Sequence, residues 1–167
     1  WHKEIYNLLP KGKKLDVSVE GFNWGLACNA IHFIDLFLWW NNDYLISADI
    51  KNLNSQWFHS KRYGYYEING KISFKSSNGA ILSLKSSSKL GGLKIKISNN
   101  DKDWIIDISK GEFCGPDNFT LKGRELFLSE MTNNVVEELF TLGKCGLTPL
   151  IESIEQHKIL LNALIKH

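Results

Sequence analysis

Residues 23–40 read NWGLACNAIHFIDLFLWW. Nearly every position is apolar or aromatic, yet His32 and Asp35 stand in the middle. From Leu26 to Trp40 there is no Gly or Pro, and the run is long enough for four helical turns. At about 100° per residue, Cys28, His32, Asp35 and Trp39 fall within roughly 60° of one another, with Asn29 on the flank. Ala30, Ile34 and Phe37 point the other way. The stretch predicts a mostly buried helix that carries one polar stripe. Ionised carboxylates and imidazoles are rarely left unpaired in such a place. Two readings stay open at this point. His32 is a hydrogen-bonded core residue and Asp35 pairs with a lysine or caps a loop, or the two form a chemically active pair.

The flanking sequence sets the fold class. Asp16–Glu20 alternates with Val17 and Val19 and reads as a short strand. The run NNDY breaks the helix, and Leu45–Leu53 reads as a strand. Gln56–Tyr65 is aromatic, basic and unpatterned, which predicts a loop. A meander follows, with the segments KISFKS, AILSLKS, LKIKIS and WIIDIS each about six residues long, a usual strand length. Asn69-Gly70 and Asn78-Gly79 are hairpin signals; Asn99–Asp101 and Lys110-Gly111 are further turn candidates. Lysine and serine on one side of these strands imply an antiparallel sheet with a wetter face. Gly123–Glu130 is a further strand candidate. Asn133–Phe140 and Thr148–Ile165 read as helices, the second with Thr148 as N-cap and Pro149 at the first helical position. On that helix Leu150, Ile151, Ile154, Leu161, Leu164 and Ile165 share a face. The order predicts an α+β fold: an open, mainly antiparallel sheet with helices packed on one face, as one domain over residues 1–167.

Composition narrows the function classes. A formal charge of +2, with 43% hydrophobic and 23% charged residues, gives no global bias toward nucleic acid or acidic lipid. Only Arg62 and Arg124 offer a guanidinium fork, which argues against a phosphate-dense surface. The three cysteines, Cys28, Cys114 and Cys145, are far apart and form no metal-binding pattern, so reduced thiols in a cytoplasmic protein are expected. The longest apolar run is too short to span a bilayer, and the first residues lack the three parts of a secretory signal. The chain begins with Trp1 rather than methionine, as a piece of a longer protein would.

The segment WGLACNAIHFIDLFLWW resembles the signature helix of the glucose–fructose oxidoreductase/inositol dehydrogenase/rhizopine-catabolism (Gfo/Idh/MocA) family. There a glycine-rich turn leads into D-x-x-x-H-x-x-D and then apolar residues. Gly25 matches the turn, His32 the histidine and Asp35 the second aspartate. The order of elements after the helix is also similar, through the closing segment TPLIESIEQHKILLNALIKH. The resemblance covers the chain as the C-terminal half of the family's architecture. It implies the substrate-binding and oligomerisation half of an NAD- or NADP-dependent oxidoreductase acting on a sugar, sugar nucleotide or cyclitol. The cofactor would be bound by an N-terminal Rossmann domain that lies outside this sequence; neither G-x-G-x-x-G nor Glu-Lys-Pro occurs here. By the same resemblance His32 is the acid/base, and Asn23, Trp24, Cys28, Asn29 and Asp35 are substrate-site candidates. Trp24 is equally readable as core and Asn23 as a turn residue. The family's first aspartate is replaced by Cys28, which cannot hold an imidazole proton as a carboxylate does.

Three functions compete on this basis. The first is the substrate domain just described, inactive on its own. The second is a binding or assembly module of the same fold with a decayed site at Cys28. The third is a stand-alone α+β enzyme using His32 and Asp35 directly. Expected partners are a sugar or sugar-nucleotide substrate, the Rossmann domain, and a second copy through the open sheet, with no nucleic acid and no membrane. Ile72, Phe74, Ile95 and Ile97 are read as making that open face partly apolar. The basic aromatic segment WFHSKRYGYY is either an ordinary loop or a mobile substrate loop.

Overall fold

The computed structural model describes residues 2–124 and 128–167. The elements in order are α1 (His2–Leu8), β1 (Asp16–Phe22), α2 (Leu26–Asn41), β2 (Leu45–His59), β3 (Tyr66–Ser76), β4 (Ile81–Ser87), β5 (Lys94–Ser98), β6 (Asp103–Asp107), β7 (Glu112–Cys114), β8 (Thr120–Lys122), α3 (Leu128–Leu142) and α4 (Leu150–Ile165). The strands form one sheet in the order β2-β3-β4-β1-β5-β6-β7-β8. Its pairings are antiparallel except β1 with β4, which run parallel. The architecture is α+β, as expected.

Alternation decides which side of the sheet is covered. Val17 and Val19 of β1 point to the same face as Ile72, Phe74, Leu82, Leu84, Ile95, Ile97 and Ile106, and all are buried. α2 lies on that face with Leu26, Ala30, Ile34 and Phe37 against it. Burying such side chains is worth roughly 1.5–3 kcal/mol each, which fixes the helix on the sheet. Ile72, Phe74, Ile95 and Ile97 are therefore core residues and not a partly apolar open face. The strand period of two puts them on the same side as the helix-facing valines.

The open face is instead a row of charges and serines. Lys71, Lys85, Glu20, Lys94 and Asp107 stand side by side across five strands. Lys85 meets Glu20 at 2.6 Å and Lys94 meets Asp107 at 3.4 Å. Ser73, Ser83 and Ser18 make the neighbouring row, which continues into Lys96.

Several local expectations change. β2 continues to His59, so the first residues of the expected Gln56–Tyr65 loop are strand; Trp57, Phe58 and His59 pair with Ile68, Glu67 and Tyr66. Register shifts at three places along β2 break the alternation that would have marked it. Asn69-Gly70 is not a turn. It lies inside β3, where Gly70 has φ 115° and passes so close to β2 that an added Cβ would meet Asn54 N at 2.6 Å and Asn52 O at 2.7 Å. Asn78-Gly79 is the hairpin turn, and the Asn99 and Gly111 turns occur as read. The helix α1 had no clear periodic signal. α3 is longer than Asn133–Phe140. Of the strand candidate Gly123–Glu130, residues 125–127 lie outside the described residues; β8 ends before it and Leu128–Glu130 are helical.

The last helix differs most. Pro149, not Thr148, is the N-cap, and Thr148 makes no capping bond. The face with Leu150, Ile151 and Ile165 is the outward one, at 77%, 75% and 81% exposure. α4 docks instead through Gln156 and Leu160, flanked by Ile159, Ala163 and Leu164. Both stripes carry helical spacing, and packing against α2 and β2 selects the polar-centred one. Among the described residues no helix is long and apolar enough to cross a membrane.

Candidate functional site

The polar stripe of α2 faces outward, while its apolar face is in the core. Between α2, the sheet floor at Leu93, Ile95 and Ile108, and the helices α3 and α4 lies an open cleft of about 1460 Å³. Trp24, Asn29, His32 and Asp35 all line it. Asn23 and Cys28 do not.

His32 is exposed and makes no hydrogen bond among the described residues. The reading of His32 as a bonded core residue therefore does not hold. Asp35 answers differently. It is half-buried, and its Oδ1 accepts the Thr148 hydroxyl, with Gln156 Nε2 a longer 3.5 Å away. Asp35 ties α2 to the entry of α4, which is the loop-capping role. Both of these bonds fall on Oδ1; Oδ2 accepts none among the described residues. His32 and Asp35 are thus one turn apart on the cleft wall, the first free and the second half committed.

Trp24 packs edge-on against Phe33, with ring centroids 5.1 Å apart, and donates its indole N–H to Lys85 O at 2.9 Å. It is half-buried and serves both the core and the cleft wall. Asn29 donates to Trp24 O at 2.8 Å, which pins the turn before the helix. Asn23 is a turn residue, with φ 38°, and accepts from Asn69 Nδ2 at 2.8 Å.

Sequence reading missed Glu67. Its carboxylate comes from β3, is only 5% exposed, and caps α2: Ala27 N donates to Oε2 at 2.8 Å and Cys28 N to Oε1 at 3.3 Å. Helix N-termini carry unsatisfied N–H groups and partial positive charge, so a carboxylate there is favoured. Gly25, at φ 80°, leaves the space: a Cβ there would meet Glu67 Oε1 at 3.1 Å. The hydrogen bond of Cys28 to Glu67, then burial and the Glu67 charge, push the thiol above its ordinary range; Arg62 offsets part of this. Glu67 lies 40 residues from Ala27, so no local spacing announces it.

The remaining cleft wall comes from Glu138 on α3, Glu152 and Glu155 on α4, Asp43 after α2, and Lys3 and Arg124. The hairpin arm of WFHSKRYGYY does not line the cleft; Tyr63, Tyr65 and Tyr66 are exposed at its end. His157 bonds Ser153 O of its own helix at 2.7 Å. Among the described residues no group of three His, Cys, Asp or Glu side chains converges as metal ligands.

An open sheet covered on one side by helices is the fold that this chain shares with solved Gfo/Idh/MocA-type oxidoreductases over part of their length. Among solved structures, aldose-aldose oxidoreductase from Caulobacter crescentus matches with TM-score 0.67 and 12% identity over 99% of this chain and 58% of that one. UDP-N-acetylglucosamine 3-dehydrogenase GnnA from Acidithiobacillus ferrooxidans matches with TM-score 0.66 and 10% identity, over 97% and 55%. GenD2 from gentamicin A biosynthesis, solved in complex with NAD, matches with TM-score 0.61 and 14% identity, over 98% and 57%. The chain thus spans somewhat more than half the length of these proteins. No family model and no curated protein matches the sequence.

Proposed function

We propose that this chain is the substrate-binding and oligomerisation part of an NAD(P)-dependent oxidoreductase of sugars, sugar nucleotides or cyclitols. The observation that carries the reading is His32, exposed and unbonded on the wall of a large cleft, in a fold shared with sugar-acting oxidoreductases. Oxidising a secondary alcohol requires a base for the hydroxyl proton. A neutral imidazole has the right basicity and returns the proton in the reverse direction. Asn29 and Asp35 offer hydrogen-bonding groups to hydroxyls, and Trp24 offers apolar surface to a ring.

The residues of this chain do not fit a nicotinamide dinucleotide. The N-terminus of α2, which follows β1 and a glycine, is the place a pyrophosphate would take. Glu67 fills it with a carboxylate. The cofactor is therefore assigned to residues outside this chain, in keeping with relatives of fold that are longer.

The test is His32→Asn in the complete protein. Turnover should fall about 10²- to 10⁴-fold. The melting temperature should stay unchanged, because His32 is exposed and makes no hydrogen bond among the described residues. A clear loss of stability with normal specific activity of the folded fraction defeats the assignment. A second reading, a binding or assembly module without catalysis, is favoured by Cys28, whose thiol is engaged with Glu67. It predicts normal folding and no turnover in the complete protein even with His32 intact.

A further inference from the structure

We propose that Gln156 is a specificity-determining residue of the cleft: with Asp35 it takes hydrogen bonds from substrate hydroxyls beside the one that His32 deprotonates. The substrate is then a polyol with a free hydroxyl next to the reacting carbon. This rests on the functional reading above and narrows it.

Gln156 stands where an apolar residue belongs. It lies on the docking face of α4 one turn before Leu160, and like Leu160 it is buried, at 7% exposure. A buried amide costs free energy unless its polar atoms are bonded. Among the described residues Gln156 makes one side-chain hydrogen bond, from Nε2 to Asp35 Oδ1, at a long 3.5 Å. Its Oε1 accepts none. Gln156 is also a lining side chain of the cleft. The missing donor is left to the contents of the cleft, solvent or a bound hydroxyl.

Asp35 presents the same situation one turn from His32. Its Oδ1 accepts from Thr148 and Gln156, and Oδ2 accepts from no described residue. Residues three apart on a helix have Cβ atoms about 5–6 Å apart, a span that one sugar or cyclitol ring bridges. His32, Asp35 and Gln156 thus put a base and two acceptors on the α2 and α4 walls, and Leu93, Ile95 and Ile108 give the cleft an apolar floor. A few convergent polar groups over apolar surface are the make-up of a small-molecule site. The two free acceptors call for donors, and a hydroxyl group supplies one.

The experiment compares the complete protein with its Gln156→Met variant, which keeps the length of the side chain and removes the amide. Both are titrated by calorimetry with glucose, N-acetylglucosamine, UDP-N-acetylglucosamine and myo-inositol, and then with deoxy analogues of whichever binds. The variant should bind that polyol about 3- to 10-fold more weakly, the worth of one hydrogen bond. Its melting temperature should not fall, because an apolar chain of similar volume has replaced a buried amide. One deoxy analogue should bind the parent more weakly than the polyol does, yet lose nothing further in the variant. That is the double-mutant signature of a hydroxyl facing the amide. Should Gln156→Met not fold, Gln156→Asn, which draws the amide back by one carbon, takes its place. Unchanged affinity in the folded variant overturns the inference, and so do deoxy analogues that all lose as much in the variant as the polyol does. If no member of the series binds the parent, it is the polyol reading of the cleft itself that falls.

Discussion

At the scale of single residues, the carboxylate of Glu67 has two jobs that one substitution separates. It caps α2 and it pushes the Cys28 thiol above its ordinary range. Glu67→Gln keeps a hydrogen-bonding side chain but removes the charge. The Cys28 thiol should then fall toward its ordinary acidity, since both the bond to a carboxylate and the Coulomb effect favour the neutral form. More thiolate at neutral pH means faster thiol–disulfide exchange with an aromatic disulfide reagent, followed by release of its aromatic thiolate. A rate equal to that of the parent protein would show that Glu67 does not govern the thiol. The weakened cap should cost about 1 kcal/mol in chemical denaturation. His32 stands in contrast: it is exposed and makes no hydrogen bond among the described residues, so its replacement should leave stability nearly unchanged.

At the scale of elements, two glycines with left-handed backbone have unequal burdens. Gly70 and Gly79 have φ 115° and 84°. Around Gly79 a methyl group meets nothing within 4 Å, whereas at Gly70 it meets the β2 backbone below 3 Å. Gly79→Ala should cost about 1 kcal/mol, the conformational penalty alone. Gly70→Ala should cost more than about 2 kcal/mol, since β2 must also move away. Equal losses in urea denaturation would show that the close approach of β2 to β3 is dispensable. The same close approach accounts for Asn69-Gly70 lying inside β3 while Asn78-Gly79 forms a hairpin turn. The dipeptide reports a need for positive φ, and both a hairpin turn and a bulged strand have that need.

At the scale of the whole molecule, the functional reading makes two expectations. NADH titrated into this chain should give no micromolar heat signal, because Glu67 closes the N-terminus of α2, the helix that directly follows β1 and Gly25. Micromolar binding would sink the assignment of the cofactor to residues outside the chain. The proposed homodimer through the open sheet now rests on charge rather than apolar area. With Lys71, Lys85, Glu20, Lys94 and Asp107 in one row, self-association should weaken as salt rises. Sedimentation at low and high salt measures this, and a monomer at both, at high concentration, counts against the dimer.

The fold class and the character of α2 were legible in the sequence because both follow from local periodicity. Strand alternation around Val17, Ile72 and Ile95 marks which residues share a face, and the spacing of Ala30, Ile34 and Phe37 marks the buried side of the helix. Periodicity groups residues; it does not say what covers them. Hence Ile72, Phe74, Ile95 and Ile97 were grouped correctly but put on the wrong side of the sheet, and the outward apolar face of α4 could not be told from its docking face. The division of labour between His32 and Asp35 was also beyond local reading. Asp35 is claimed by Thr148 and Gln156, more than 100 residues away, and the N-terminus of α2 is claimed by Glu67 from β3. Such pairings depend on where the chain returns after long loops and strands. Only the packed tertiary structure brings those carboxylates and donors within hydrogen-bond reach, and so only it decides which polar groups of the stripe stay free for a ligand.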